Sequence, residues 1–192
     1  MGDPHLSLRA LVLADAPPYV PIARLLERDV DLVLCLGDLS RVDLEPLADA
    51  RLPKLGVHGN HDGAYMAALG VTDLHLRRAE IDGVSFAGFE GCVRYRDGPH
   101  QYTQEEATVL ARGLPPADVL VCHAPPAGIN DEPGDLAHEG FEGLREWVRA
   151  NVPRLVLHGH THPRPGGGIR RVGPVKVLHV SGARIVEVPA AS

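Results

Sequence analysis

Short runs of consecutive apolar residues recur along the chain, and each run ends where polar residues begin. A short continuous apolar run bounded by turn residues is consistent with a buried strand. We therefore interpret these runs as strands of the domain core. The predicted strands are Arg9–Ala14, Val30–Gly37, Lys54–Gly59, Ala117–His123 and Arg154–Gly159.

Segments whose apolar residues have helical spacing lie between these strands. Thr103 and Glu106 also have the spacing of a capping box, which predicts a helix that begins near Thr103. The predicted helices are Tyr19–Arg28, Leu44–Ala50, Gly63–Leu69, Thr103–Leu114 and Phe141–Asn151.

The middle and the end of the chain depart from this alternation. Two alternating stretches flank Asp82-Gly83 within Asp73–Gly91, which predicts a β-hairpin. Near the end, residues 175–181 and 184–189 are predicted to be paired strands around turns rich in glycine and proline. Strands that alternate with helices and then follow one another indicate a layered α/β domain.

Composition narrows the class of protein. A chain of 192 residues with 44% hydrophobic residues suits one packed domain, which we place over residues 1–192. No apolar window approaches the length of a membrane span, and Asp15 interrupts the first apolar run too early for a signal peptide. Cys35 and Cys122 lie in apolar runs, so we expect buried thiols, no disulfide framework and a cytoplasmic location.

Polar residues collect where the predicted strands end. Ligands of open α/β sheets bind at the carboxyl edge of the strands, so side chains distant in sequence can converge there. Carboxylates, imidazoles and an amide oxygen together suit borderline divalent metals such as Mn²⁺, Fe²⁺ and Zn²⁺. The residues in these positions are Asp15, Asp38, Asn60, His61, Asp62, His123, His160 and His162.

The order of these residues resembles the calcineurin-like metallophosphoesterase family. Its pattern is D-x-H, G-D, G-N-H-[DE], a later histidine at a strand end, and G-H-x-H. The combination of "GNHD" with "GHTH" is highly specific, whereas either motif alone would be weak. The resemblance implies a four-layer α/β/β/α sandwich of two mixed sheets. The matching segments are "DAP" at Asp15–Pro17, "GD" at Gly37-Asp38, "GNHD" at Gly59–Asp62, "CHAPP" around His123 and "GHTH" at Gly159–His162.

The resemblance also implies two divalent metal ions, Mn, Fe, Zn or similar, bridged by Asp38. His61 would protonate the leaving oxygen or stabilise its charge, and Asp62 would orient His61 or a ligand. The first ion would be held by Asp15, Asp38 and His162, and the second by Asp38, Asn60, His123 and His160.

Pro17 departs from the family pattern, since a histidine at this position would bind the first metal. Proline has no side-chain donor atom, so we expect weaker affinity at the first site, with water or substrate completing the coordination. A sub-branch of the family that also lacks this histidine is similar to the chain at His123–Asp131 and His138–Phe141.

Several residues have two interpretations. His138 either starts the helix at Phe141 or reaches the site and compensates for Pro17. Arg94 and Arg96 either contact a substrate phosphate or belong to a solvated loop. Asp15 taken alone could cap a helix. Among the other histidines, His58 and His158 are predicted to be core residues, and His5, His75, His100 and His179 show no spacing signal.

The function implied by the resemblance is hydrolysis of a phosphate ester, more often a diester than a monoester, by a hydroxide bound to the metals. The net charge of −6 and the lack of a basic run argue against a nuclease and are compatible with a small anionic substrate. The alternative is a catalytically weak domain that binds a metal and a nucleotide or a partner. Pro17 motivates this alternative, and the intact "GNHD" argues against it. The sequence leaves the oligomeric state open.

Overall fold

The computed structural model describes residues 7–162 and 168–189, which contain thirteen strands and four α-helices. The strands are β1 (Ser7–Ala14), β2 (Leu32–Cys35), β3 (Lys54–Gly56), β4 (Thr72–Asp73), β5 (Arg78–Ile81), β6 (Val84–Phe89), β7 (Cys92–Val93), β8 (Gln101–Tyr102), β9 (Val119–Cys122), β10 (Leu155–His158), β11 (Ile169–Val172), β12 (Val175–His179) and β13 (Gly182–Pro189). The helices are α1 (Ile22–Leu26), α2 (Arg41–Leu44), α3 (Gln104–Arg112) and α4 (Glu142–Asn151), with 3-10 turns at Glu45–Leu47, Ala67–Leu69 and Leu136–His138.

The strands form two main sheets. The order across the first sheet is β13-β1-β2-β3-β4, and the order across the second is β11-β12-β10-β9-β6-β5. In the first sheet β1 to β4 are parallel and β13 is antiparallel to β1. In the second, β6, β9, β10 and β12 are parallel, and β5 and β11 are antiparallel edge strands. Both sheets are therefore mixed, as predicted.

Side chains alternate between the two faces of each central strand. In β1, Val12 packs in the apolar cluster between the sheets, and Leu13 packs in a cluster with residues of α1 and α2. In β9, Val121 packs between the sheets, and Leu120 packs in a cluster with α3 and α4. Each sheet thus has one face on the other sheet and one face under helices. This arrangement confirms the predicted four layers and explains why the central strands are apolar throughout.

Two predicted helices are shorter than expected because proline limits them. Tyr19–Arg28 becomes α1, which begins after Pro21, a residue without an N–H. Leu44–Ala50 becomes the end of α2 and a 3-10 turn that contains Pro46. In an α-helix the amide of residue 46 would have to bond four residues back, which proline cannot do.

Other predictions have mixed outcomes. The hairpin at Asp82-Gly83 is confirmed, with φ of 47° and 79° as a two-residue turn requires. The capping box of Thr103 is confirmed as well. Residues 63–66 are not helical, and Tyr65 is buried there with its hydroxyl donating to Asp62.

The prediction that the two strands near the end pair with each other is wrong. β12 pairs with β10 and β11 in the second sheet, whereas β13 pairs with β1 in the first. The chain changes sheets at Gly182, whose φ of 77° favours glycine.

The three cysteines are buried and unpaired, as predicted for a chain without disulfides. Among the described residues no helix has the length and apolar character that a membrane crossing requires.

Candidate metal centre

Polar side chains from both sheets meet at the carboxyl ends of the parallel strands. Asp38 follows β2 in the first sheet, and His123 follows β9 in the second. Nδ1 of His123 donates to the carbonyl of Leu36 at 2.9 Å. The backbone N–H of His160, after β10, donates to the carboxylate of Asp15, after β1, at 2.9 Å. These two hydrogen bonds join the sheets across one rim, between residues up to 145 positions apart.

The centre of this rim contains the four residues predicted to hold the second metal. Asp38, His123 and His160 each place a ligand atom within 4.8 Å of the other two. Nε2 of His123 lies 3.4 Å from Oδ2 of Asp38 and 3.1 Å from Oδ1 of Asn60. Asn60 is oriented by its Nδ2, which donates to the hydroxyl of Tyr95 at 3.3 Å.

The atoms that converge here are acceptors. A carbonyl oxygen can only accept, so Nδ1 of His123 carries the hydrogen that bonds Leu36, and Nε2 of the neutral ring has a lone pair. That lone pair faces the oxygens of Asp38 and Asn60. Three acceptors without a donor repel one another in a buried position, and a cation removes this repulsion. The donor set of carboxylate, amide oxygen and imidazole fits a divalent metal of the borderline class.

The pKa values at this rim also indicate that the cluster of acceptor atoms lacks positive charge. Burial would raise the pKa of Asp38, but a protonated His123 outweighs burial and lowers that pKa, through a hydrogen bond from its Nε2 and through its charge. Burial would lower the pKa of His123, yet the hydrogen bond and charge of Asp38 raise it. A proton on His123 therefore stabilises this cluster in the same way that a bound metal would.

Nδ1 is the atom of His160 whose lone pair is available to a metal. Its Nε2 donates to the carbonyl of Ala137 at 2.6 Å, which leaves the lone pair on Nδ1. Burial, followed by the nearby His123, lowers the pKa of His160 to about 3, so the ring is neutral at physiological pH. A neutral imidazole whose second nitrogen is hydrogen-bonded is the usual form of a histidine ligand.

Asp15 lies beside this cluster but is directed at the backbone. Both of its oxygens accept from the N–H of His160, and Oδ1 is 4.0 Å from Nδ1 of His123. Burial raises the pKa of Asp15 to about 6, which is the largest effect, and the charge of His123 opposes it. Pro17 is exposed.

Asp62 organises the loops that carry the ligands. Its carboxylate accepts from the backbone N–H groups of Asp38, Leu39 and Gly59 at 2.7–2.9 Å and from the hydroxyl of Tyr65 at 3.2 Å. The role predicted for Asp62 was to orient His61 or a ligand. In the structure its contacts fix the backbone of Asp38 and of the segment before Asn60.

The backbone at the rim is strained. Asp15, Asp38 and His160 have φ values of 56°, 52° and 68°, a region in which side chains with a Cβ are uncommon. Gly59 is required by space, because a Cβ there would overlap the carboxylate of Asp38. Strain of this kind is found at functional sites more than elsewhere.

The predicted catalytic residue, His61, is exposed at the edge of the cluster. Its backbone N–H donates to Oδ1 of Asp38 at 2.8 Å, and Nη2 of Arg96 lies 3.4 Å from its Nδ1. Arg94, the predicted substrate contact, is instead paired with Glu106 at 2.8 Å and with the carbonyl of Gln101 at 3.1 Å. The geometry therefore favours Arg96 over Arg94 as the arginine that faces the site.

His162 belongs to a neighbouring cluster with Glu132 and His138. Oε1 of Glu132 lies 3.0 Å from Nδ1 of His162 and also accepts its backbone N–H at 3.0 Å. The ring of His138 lies 4.4 Å from that of His162 and 5.3 Å from that of His160. Nδ1 of His138 is 2.7 Å from a carboxylate oxygen of Asp135. His138 therefore reaches the rim and connects the two clusters.

Sequence reasoning missed Glu132 and Tyr95 as residues of the site and did not separate Arg96 from Arg94. Glu132 and His138 come together because the loop folds back, with the N–H of Glu132 donating to the carbonyl of His138 at 3.0 Å. No local periodicity reports such a contact. The one signal available was the unusual density of acidic residues and histidines in the loop after β9.

Comparison with models of protein families identifies the family of the chain. The sequence model described as "Calcineurin-like phosphoesterase superfamily domain" matches residues 2–182. A search of curated proteins finds no match.

Solved structures resemble the fold at low sequence identity. TT1561 of Thermus thermophilus has a TM-score of 0.62 and 15% identity, with 92% of this chain and 90% of that chain covered. A hypothetical protein from the same organism has a TM-score of 0.52 and 20% identity, covering 91% and 75%. A novel phosphatase from Mycoplasma pneumoniae has a TM-score of 0.52 and 14% identity, covering 92% and 72%. These similarities establish the fold.

Proposed function

The chain belongs to the calcineurin-like phosphoesterase superfamily, and on this premise we propose that it is a metal-dependent phosphoesterase acting on a small phosphate ester. The observation that carries the proposal is the convergence of three acceptor atoms, Oδ2 of Asp38, Oδ1 of Asn60 and Nε2 of His123, beside the exposed His61. The net charge of −6 supports a small substrate rather than a nucleic acid polymer.

Two divalent cations are proposed at the rim, Mn, Fe, Zn or similar. When bound, they would supply Lewis-acid activation of water and neutralise charge on the phosphoryl oxygens. The proposed ligands are Asp38, Asn60, His123 and His160 for one cation, and Asp15, Asp38 and His162 for the other.

Glu132 and His138 are proposed to compensate for Pro17. Their ligand atoms and that of His162 lie within 4.8 Å of one another, next to the ring of His160. Asp135 accepts from Nδ1 of His138, so that Nε2 keeps its lone pair. These two side chains therefore offer donor atoms near the cation whose usual histidine is replaced by Pro17.

His61 is proposed to act on the leaving group. Arg96 donates to its Nδ1, so the ring proton is on Nε2. The N–H held there, on an exposed ring at the edge of the acceptor cluster, can donate a hydrogen bond that stabilises the charge forming on the departing oxygen. Hydrogen bonding from the backbone N–H of His61 to Asp38 fixes the position of the residue relative to the cation ligands.

A diester is proposed in preference to a monoester because of the charges that face His61. Arg96 is the guanidinium that lies beside this ring, whereas Arg94 is paired with Glu106. One guanidinium in addition to the cations matches the single negative charge of a phosphodiester. A monoester dianion would gain from a second free cation.

The test is hydrolysis of bis(4-nitrophenyl) phosphate and 4-nitrophenyl phosphate with Mn²⁺, Fe²⁺ or Zn²⁺, followed by addition of a chelator. We expect chelator-sensitive turnover that is faster with the diester. A faster monoester reaction would contradict the preference for diesters but would leave the metal-dependent mechanism in place.

The second candidate is a catalytically weak domain that binds a metal and a nucleotide or partner. Pro17 favours it, because proline leaves the first cation without one donor atom. Metal binding without hydrolysis of either ester would support this candidate against the first.

A further inference from the structure

A separate group of imidazoles surrounds Glu90, and the proposed reaction does not use it. Glu90 follows β6, His58 follows β3, and His100 precedes β8. One ligand atom from each of these residues lies within 4.8 Å of the other two. Sequence spacing gave no role to His100 and placed His58 in the core.

The two distances from Glu90 to the imidazoles match those of a tetrahedral metal site. Oε2 of Glu90 lies 3.4 Å from Nδ1 of His58 and 3.1 Å from Nδ1 of His100. Ligand atoms around a tetrahedral zinc with bonds of about 2.05 Å are about 3.3 Å apart. The Nδ1 atoms of both imidazoles approach the same carboxylate oxygen, and the two rings are parallel with centroids 4.8 Å apart.

The other oxygen of Glu90 is held by neutral donors. The hydroxyl of Tyr102 donates to Oε1 at 2.5 Å. Nδ1 of His75 accepts the backbone N–H of Glu90 at 3.1 Å, so the proton of the neutral ring is on Nε2, which lies 3.7 Å from Oε1. Hydrogen bonds that orient one oxygen and leave the other for a cation are typical of a metal-binding carboxylate.

The side chain of Glu90 is 10% exposed, and a carboxylate in such a position needs compensating positive charge. We propose that Glu90, His58 and His100 bind a structural divalent cation of the zinc class, distinct from the cations at the rim. Its ligands come from the end of a strand in each sheet and from the loop before β8.

The cation would position the loop that completes the rim. This loop also carries Tyr95, which accepts from Asn60, and Arg96, which contacts His61. Fixing His100 against Glu90 restricts the loop at its far end. The proposed ion therefore acts on the reaction through the placement of these two side chains.

The first test counts zinc in dialysed protein by mass spectrometry of the metal. We compare wild type with His100→Gln and Glu90→Gln, using Glu80→Gln on the exposed side of the same hairpin as the control for charge. We expect one zinc fewer per chain in the first two variants and no change in the control. His100 lies in a loop, so His100→Gln remains informative even if Glu90→Gln does not fold.

The second test separates this site from the rim. Zinc is titrated into Asn60→Ala and into Asn60→Ala/His100→Gln while the melting temperature is recorded. Residual binding at the rim is common to both proteins, so the difference reports the Glu90 site. We expect zinc at about 100 times the dissociation constant to raise the melting temperature by about 5 °C more in the single variant. Equal zinc content in wild type and His100→Gln, or equal shifts in the two titrated variants, would overturn the proposal, whatever the outcome of the hydrolysis assay.

Discussion

Carboxylates at the two ends of the sheets have different partners, as Asp118 and Asp31 at one end and Asp38 at the other illustrate. At the amino end, Asp118 precedes β9 and accepts from the backbone and hydroxyl of Ser85, with Arg154 3.5 Å away. Asp31 precedes β2 and accepts the backbone N–H of Arg9 at 2.7 Å. At the carboxyl end, Oδ2 of Asp38 faces the acceptor nitrogen of His123 instead of a donor.

This difference separates structural carboxylates from those proposed to be functional. Asp31 and Asp118 have ordinary backbone conformations, whereas Asp15 and Asp38 have positive φ. A left-handed residue with a side chain costs about 1–2 kcal/mol, and uncompensated acceptors add to that cost. Among these four carboxylates the fold maintains the unfavourable arrangement only at the carboxyl end, and a bound cation would turn it into a favourable one.

The largest expected effect on activity comes from removing the carboxylate of Asp38, which is proposed to bind both cations. Asp38→Ala should lower kcat/KM for the diester by about 10³-fold and reduce the content of bound metal, because Asp38 is proposed to touch both cations. Steady-state kinetics with metal analysis checks this. Asp118→Ala, the matched change at the other end, should leave kcat/KM close to wild type. An equal loss of kcat/KM in the two variants would contradict the claim that only the carboxylates at the carboxyl end take part in the reaction.

His61→Ala should lower kcat by about 10²-fold without changing metal content, because the ring is proposed to donate a hydrogen bond to the leaving oxygen rather than to bind a cation. Turnover and metal stoichiometry are measured on the same preparations. Arg96→Gln should have a smaller effect in the same direction, and Arg94→Gln should have little. A loss of metal in His61→Ala would contradict this role.

Glu132→Gln should weaken binding of the first Mn²⁺ by about 10-fold to 100-fold. Isothermal titration checks the affinity, and Glu139→Gln in the same loop is the control for the loss of a charge. Pro17→His should restore part of the affinity in the Glu132→Gln protein. If Pro17→His changes neither stoichiometry nor affinity, that position does not face the site.

The smallest effect is expected at the amino end. Burial would raise the pKa of Asp118, but donation by Ser85 and the charge of Arg154 lower it. A lowered pKa in the folded state stabilises the fold above the unfolded value near 4, and this contribution is lost as pH falls through the folded pKa. Asp118→Asn should therefore cost about 1–2 kcal/mol at neutral pH and make stability less dependent on pH below about 4. Urea unfolding at several pH values tests this, and parallel curves for the two proteins would contradict it.

The sequence predicted the layers of the fold through its resemblance to the family, and it predicted the convergence of Asp38, His123 and His160 from their positions after strands. Strands such as β9 are buried on both faces, so their apolar runs are continuous and easily recognised. Asp38 and His123 closely follow such strands, and their convergence follows from parallel pairing at a shared edge. The short helix α1 was overestimated because Pro21 limits its start more strongly than its apolar spacing indicates.

The remaining contacts depend on how loops fold, which spacing does not encode. Glu132 meets His162 and His100 meets Glu90 across chain segments that have no common period. The change of sheet at Gly182 likewise depends on which edge is open to β13 rather than on the strand pattern. The motifs therefore predicted which side chains meet at the rim, and tertiary contacts determined which further residues lie beside them.

Anomalous diffraction from crystals grown with Mn²⁺ tests the central claim most directly. We predict a manganese peak within bonding distance of Oδ2 of Asp38, Oδ1 of Asn60 and Nε2 of His123. A structure at saturating Mn²⁺ in which these three atoms share no cation would contradict the account.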